Sequence, residues 1–188
     1  MKQKCLFIIL FACIPAFAGN ESPYKTEIDT AALDYIRKSY YAAVEMPESV
    51  EVLIEYIESR YSSNFRNYNP IILSYYACLT GLKGKYDSNV YNKVKYVNQG
   101  IAKIDSAVSL FPDCFEIRFL RFSFYHFLPD FFNVKEKRKN DALFVSEMLL
   151  KKDYSFVDQK IQNDMLKFIT GTDRVSEDTK KKLRKIII

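Results

Sequence analysis

The stretch Pro112-Asp113-Cys114-Phe115-Glu116-Ile117-Arg118-Phe119-Leu120-Arg121-Phe122-Ser123-Phe124-Tyr125-His126-Phe127-Leu128-Pro129 decides how the rest of the chain reads. Prolines bracket it, and proline punctuates both ends of a helix. Asp113 with Glu116 three residues on makes a capping-box pattern. At 100° per residue its apolar side chains point in nearly every direction. A helix that is apolar all round needs partners all round. Burying one phenylalanine is worth about 1.5–3 kcal/mol, so the five from Phe115 to Phe127 make up a large part of the core. The run from Arg121 to Phe127 also alternates with period two, as a strand would. Every neighbouring segment reads helical, so the stretch is read as a buried central helix of an all-α protein.

Working outward, helices are expected on both sides. Thr26 with Asp29 starts the first, and Met46-Pro47 breaks it. Val50, Leu53, Ile54, Ile57 and Tyr61 form the stripe of the second. Asn69-Pro70 opens the third, with Asn as cap and Pro at the first helical position. It carries Tyr75 and Tyr76 and is expected to stop around Gly81-Leu82-Lys83-Gly84. The fourth is the most regular, with Val94, Val97, Ile101, Ile104 and Val108 spaced by four and three. Its Gly100 and Ala107 would let a neighbour approach closely. After the central helix come an apolar turn at 129–132 and a sixth helix from Asn133 with a basic first half. A seventh stops at Gly171. A basic helix spans 176–188.

The chain has 188 residues, suited to one domain with a real core. Five glycines argue against a turn-rich β fold. Residues 1–18 read as a secretory leader: Lys2 and Lys4, an apolar run from Cys5, and Ala16-Phe17-Ala18 as the cleavage pattern. Cleavage after Ala18 leaves a domain of 19–188 outside the cytoplasm, most simply in the periplasm. An alternative is lipidation of Cys13, which follows Leu10-Phe11-Ala12. Formal charge is +5, and loss of Lys2 and Lys4 leaves +3. That excess does not imply nucleic acid. Cys78 and Cys114 are offset by roughly 10 Å along parallel helices, beyond the about 7 Å a disulfide spans.

The third and fifth helices are expected to begin 44 residues apart, as are the fourth and sixth. This makes two hairpin units, near 69–112 and 113–152. Gly100, Ile104, Ala107 and Pro112 match the second-helix spacing of the tetratricopeptide (TPR) pattern, and Tyr125 falls near the aromatic position of the next first helix. The stretch from Tyr91-Asn92-Lys93 through Glu116–Arg121 to Pro129-Asp130-Phe131 resembles a family of uncharacterised exported TPR-like proteins of Gram-negative bacteria. The resemblance covers roughly residues 70–150. It departs from the TPR pattern in its longer repeat and at Arg118, where that pattern has an aromatic. It implies antiparallel helical hairpins stacked as a short TPR-like α-solenoid of about seven or eight helices. It brings no catalytic residues.

Chemistry-bearing constellations are sparse. His126 is the one histidine, and without a second histidine or a reactive cysteine it offers little for metal or nucleophile chemistry; a satisfied core histidine is the simpler reading. No catalytic, metal or cofactor site is expected, and the chain is read as non-enzymatic. Twelve of fourteen tyrosines lie between Tyr24 and Tyr96; tyrosine is enriched at interfaces, but in a small helical bundle it is first of all core filler. Stacked hairpins present a groove lined by the first helix of each pair, so Tyr35, Tyr75, Tyr76 and Tyr125 are candidates for contact with a protein or peptide partner in the envelope. A second reading is a binding protein for a small anionic ligand held by Arg118 and Arg121. Internal pairing of these arginines would draw on Asp105, Asp141 or Glu147. A third reading is a hydrolase with a carboxylate site. Membrane association would require lipidation of Cys13 or binding of the basic C-terminal helix to anionic lipid.

Overall fold

The computed structural model describes residues 29–62 and 64–186. The leader, Cys13, the cleavage position after Ala18 and the proposed start at Thr26 lie outside the described residues. Within them the chain is all-α. Eight helices follow in order: α1 Thr30–Glu45, α2 Pro47–Tyr61, α3 Pro70–Tyr86, α4 Val90–Leu110, α5 Phe115–His126, α6 Lys135–Lys151, α7 Gln159–Gly171 and α8 Glu177–Arg184. Short 3₁₀ turns stand at Phe65–Asn67 and Asp130–Phe132. Connections this short force consecutive helices to double back on each other. Pro70 and Phe115 open one pair of equivalent helices, and Val90 and Lys135 the other, each 45 residues apart rather than 44.

The caps follow from sequence. Asp29, Asn69, Asn89, Asp158 and Ser176 each accept a backbone N–H of the helix they precede, which satisfies amides that have no partner within the helix. The expected capping box of α5 does not form. Cys114 is its N-cap and gives no side-chain bond, because Glu116 is turned inward instead.

The most extensive contact is between α3 and α4. Glycine makes it possible. A Cβ on Gly100 would stand 2.8 Å from the carbonyl oxygen of Ala77, and one on Gly84 would stand 2.8 Å from that of Lys93. The two backbones therefore touch where side chains would hold them apart. Phe124 of α5 lies across the seam, against Gly81 and Gly100. The expectation of close approach at Gly100 is met. The expected stop at Gly81–Gly84 is not: both glycines are buried inside α3, which runs on to Tyr86.

Two apolar clusters form. The first joins α1 to α5 and includes Ile36, Leu53, Leu79, Ile104, Ile117 and Leu120. The second is built from Phe119 and Phe122 of α5 with Val145, Met165, Ile169 and Leu183 of α6, α7 and α8. Helix α5 thus belongs to both, as its all-round apolar character requires. It ends at His126, one residue before Phe127, which is largely exposed. The sixth helix begins at Lys135, since Asn133 takes a left-handed conformation that closes the preceding 3₁₀ turn. Leu183 anchors α8, so the C-terminal helix is part of the second cluster rather than an appendage.

Candidate functional site

The interior carries two polar knots, and each consumes residues the sequence offers as binding candidates. In the first, Asp141 of α6 is fully buried. Arg121 donates to it from Nε at 2.7 Å and from Nη2 at 2.9 Å, and from Nη1 to Asp105 of α4 at 3.0 Å. Arg118 bonds the same Asp141 carboxylate, donates to the Pro112 carbonyl at 3.0 Å and lies over the Phe144 ring. The Tyr125 hydroxyl donates to Asp105 at 2.8 Å, and Lys137 reaches Asp105 from outside. Internal pairing through Asp105 and Asp141 is therefore what the two arginines do. Glu147 is exposed and takes no part in this knot.

The second knot was not legible as a site. Glu116 of α5 is buried and receives Nε and Nη2 of Arg37 from α1, both at 2.7 Å. The Tyr75 hydroxyl of α3 donates to the same carboxylate at 2.7 Å. Burial weakens the charge on Arg37, but the bonds from Glu116 outweigh it, and the guanidinium is held more firmly protonated than usual. Burial, with Glu116 beside it, pushes the Tyr75 phenol well above its ordinary range. Arg37 also donates to the Phe156 carbonyl at 3.2 Å, tying α1 to the loop before α7.

The tyrosine candidates separate accordingly. Tyr75 is 3% exposed and Tyr125 0%. Neither is available to a partner, because each hydroxyl serves a buried carboxylate. Tyr76 is half-buried and donates to Glu58 at 2.6 Å. Only Tyr35 of the four is exposed, with its ring 4.5 Å from that of Tyr56. The first helices of the pairs are thus bound to one another across the face on which a tyrosine-lined groove was expected.

Exposed apolar side chains are scattered over several elements, among them Val52, Phe131 and Phe156, and on α4 they continue a buried stripe. The α4 stripe is buried at Ile104 and Val108 and half-buried at Ile101 and Val97. Toward the N-terminus it emerges: Val94 is 38% exposed, Val90 73% and Tyr91 76%. On another side of α4, where it meets α2 and α3, is a shallow cleft of about 200 Å³ whose lining includes Glu51, Lys83, Asp87 and Tyr96. Lys83 bridges to Glu51 at 2.9 Å and lies over the Tyr96 ring. The period-3.6 stripe on α4 is plain in the sequence. Nothing in the sequence says which part of it lacks a cover.

Cys78 is buried and Cys114 half-buried, and both are free thiols. Burial pushes the Cys78 thiol up to about 12, so it is inert. Among the described residues no group of His, Cys, Asp and Glu could hold a metal ion, and no helix is long and apolar enough to cross a membrane. No known family, curated protein or solved structure matches the chain.

Proposed function

We propose that the chain is an exported, non-enzymatic interaction module of the cell envelope, which binds a protein or peptide along the N-terminal half of α4. The observation that carries this reading is the apolar stripe of α4, which continues beyond the surface that the described residues cover. A helix that exposes valine and tyrosine at successive turns offers a partner helix or hairpin its own i, i+4, i+7 ridge. The leader-like residues 1–18 support an address outside the cytoplasm.

Two other readings have less support. A small anion at Arg118 and Arg121 would have to displace Asp141 and Asp105 from established bonds. A hydrolase using the Asp105 and Asp141 carboxylates would first have to free them from Arg121, which bridges the two.

The test is site-specific photo-crosslinking in living cells, with the reactive residue at Tyr91 and, as a control, at exposed Lys139. A discrete adduct at position 91 that disappears with Val94→Asp supports the reading. The same products from both positions, or none at 91, overturn it.

A further inference from the structure

The histidine at the end of α5 has a setting that the binding surface does not use. His126 is half-buried among the rings of Phe127, Phe168 and Phe122, with centroids 4.8, 5.4 and 6.3 Å away. Its Nδ1 lies 3.1 Å from Oγ1 of Thr172. Thr172 is buried and caps the C-terminal end of α7. The same Oγ1 accepts the backbone N–H of Arg174 at 3.1 Å, at the turn into α8. One pair of side chains therefore joins the end of α5 to the joint between α7 and α8.

We propose that His126 and Thr172 form a latch, released by acid, that holds the α7–α8 pair against α5. The neutral ring meets the Thr172 hydroxyl in either tautomer, giving or taking the proton at Nδ1, while the same oxygen accepts from Arg174. Protonation fixes an N–H on Nδ1. The hydroxyl oxygen then accepts from both Nδ1 and Arg174, so what acid sets against the latch is the charge itself rather than a lost bond. The new charge enters an unfavourable setting. Arg138 approaches from α6 and Arg174 from the α7–α8 link, with Asp173 of that link opposing them; α7 itself presents the Phe168 ring. Arg138 is engaged by Asp130, and Asp173 by Arg174.

Burial first, and Arg174 second, hold the His126 ring below its ordinary pKa. The folded chain therefore binds fewer protons than the unfolded chain just below that ordinary value. The stabilisation is complete at neutral pH and is lost as pH falls through about 6.5 toward the folded value. The loss is local. Behind the latch Phe168 packs edge-on against Phe119 and Phe122, at 5.9 and 5.8 Å, in the second apolar cluster.

Hydrogen exchange on the full chain at about pH 7.5 and about pH 5.5, corrected for the intrinsic rate, reads the latch directly. Amides of α7 and α8 are expected to lose protection severalfold in acid while those of α3 and α4 do not. His126→Gln, which can still bond Thr172 but cannot titrate, is expected to remove the difference. Equal acid loss in both halves, or an acid loss that persists in His126→Gln, overturns the proposal. Should that variant fail to fold, an NMR titration of the wild-type ring decides, since it is the chain's one histidine. A midpoint at or above about 6.5 overturns the latch.

Discussion

Arg37 on α1 grips Glu116 on α5 through two hydrogen bonds of 2.7 Å across 79 residues of chain. The geometry is the fork-to-fork pairing in which guanidinium and carboxylate are most selective for each other. It spans the first apolar cluster from its first helix to its last. Removing one partner leaves a buried charge behind. Arg37→Met is expected to cost about 3–5 kcal/mol. The double variant Arg37→Met with Glu116→Met is expected to recover most of that loss. Urea melts of the two singles and the double complete the cycle, and additive losses would show that the pair is not coupled.

The two arginines on α5 should differ. Arg121 bonds both buried Asp141 and Asp105, whereas Arg118 shares only Asp141 and is more exposed. Arg121→Met is therefore expected to destabilise by about 3–5 kcal/mol, and Arg118→Met by distinctly less. Equal losses in denaturant melts would contradict this ranking. Stabilisation of either variant relative to wild type, with loss of a thermal shift on adding small carboxylates or phosphates, would instead favour the anion-binding reading.

Two glycines give opposite expectations for the same substitution. Gly100→Ala would drive a methyl into the Ala77 carbonyl oxygen, which belongs to a helix backbone and cannot swing aside. A loss of about 1–3 kcal/mol is expected, as for an overpacked core. Gly171→Ala meets nothing within 4 Å and sits at the last position of α7 without a positive φ. A gain of about 0.4–1 kcal/mol is expected from the stiffer unfolded chain. Thermal melts of both variants check the pair.

The C-terminal helix should be indispensable to the second cluster, against the expectation its charge suggests. Leu183 and Phe122 are both fully buried there. Leu183→Ala is expected to cost about 2–5 kcal/mol and Phe122→Ala about 3–5 kcal/mol. A chain cut after Gly171 should lose protection in α6 and α7 by hydrogen exchange while α1–α4 stay protected. Unchanged protection in α6 and α7 would show α8 to be an ornament.

Helix identity was legible in the sequence because packing and periodicity agree: the stripe on α2 and the C-terminal half of that on α4 are faces they bury. Pairing of Arg118 and Arg121 with Asp105 and Asp141 was also legible, since burying a guanidinium requires an acid on a flanking helix. Glu116 was misread because a local cap and a distant arginine compete for the same carboxylate, and sequence spacing shows only the local one. The Arg138 guanidinium sat in a run of lysines that reads as a solvated face. In the fold it is buried and donates to the Tyr125 and Leu128 carbonyls, completing the end of α5. Gly81 and Gly84 read as a stop because close backbone approach and helix termination both call for glycine. The tyrosines read as a groove because a hydroxyl marks a wet surface as readily as a buried carboxylate.

The double membership of α5 sets an order of assembly for a chain delivered from its N-terminus. Residues up to the end of α4 bring Arg37, Tyr75 and the Gly100 seam, yet Glu116 and Phe124, which engage them, arrive only with α5. The first cluster also draws on Leu128 and Val134. Until that point has emerged, four helices stand with their closing surface missing, and apolar surface left open in this way is what makes a partly made chain prone to stick elsewhere. Once α5 docks, its opposite side displays Phe119 and Phe122 as the template on which the remaining three helices fold. The helix that finishes one half is the scaffold that begins the other.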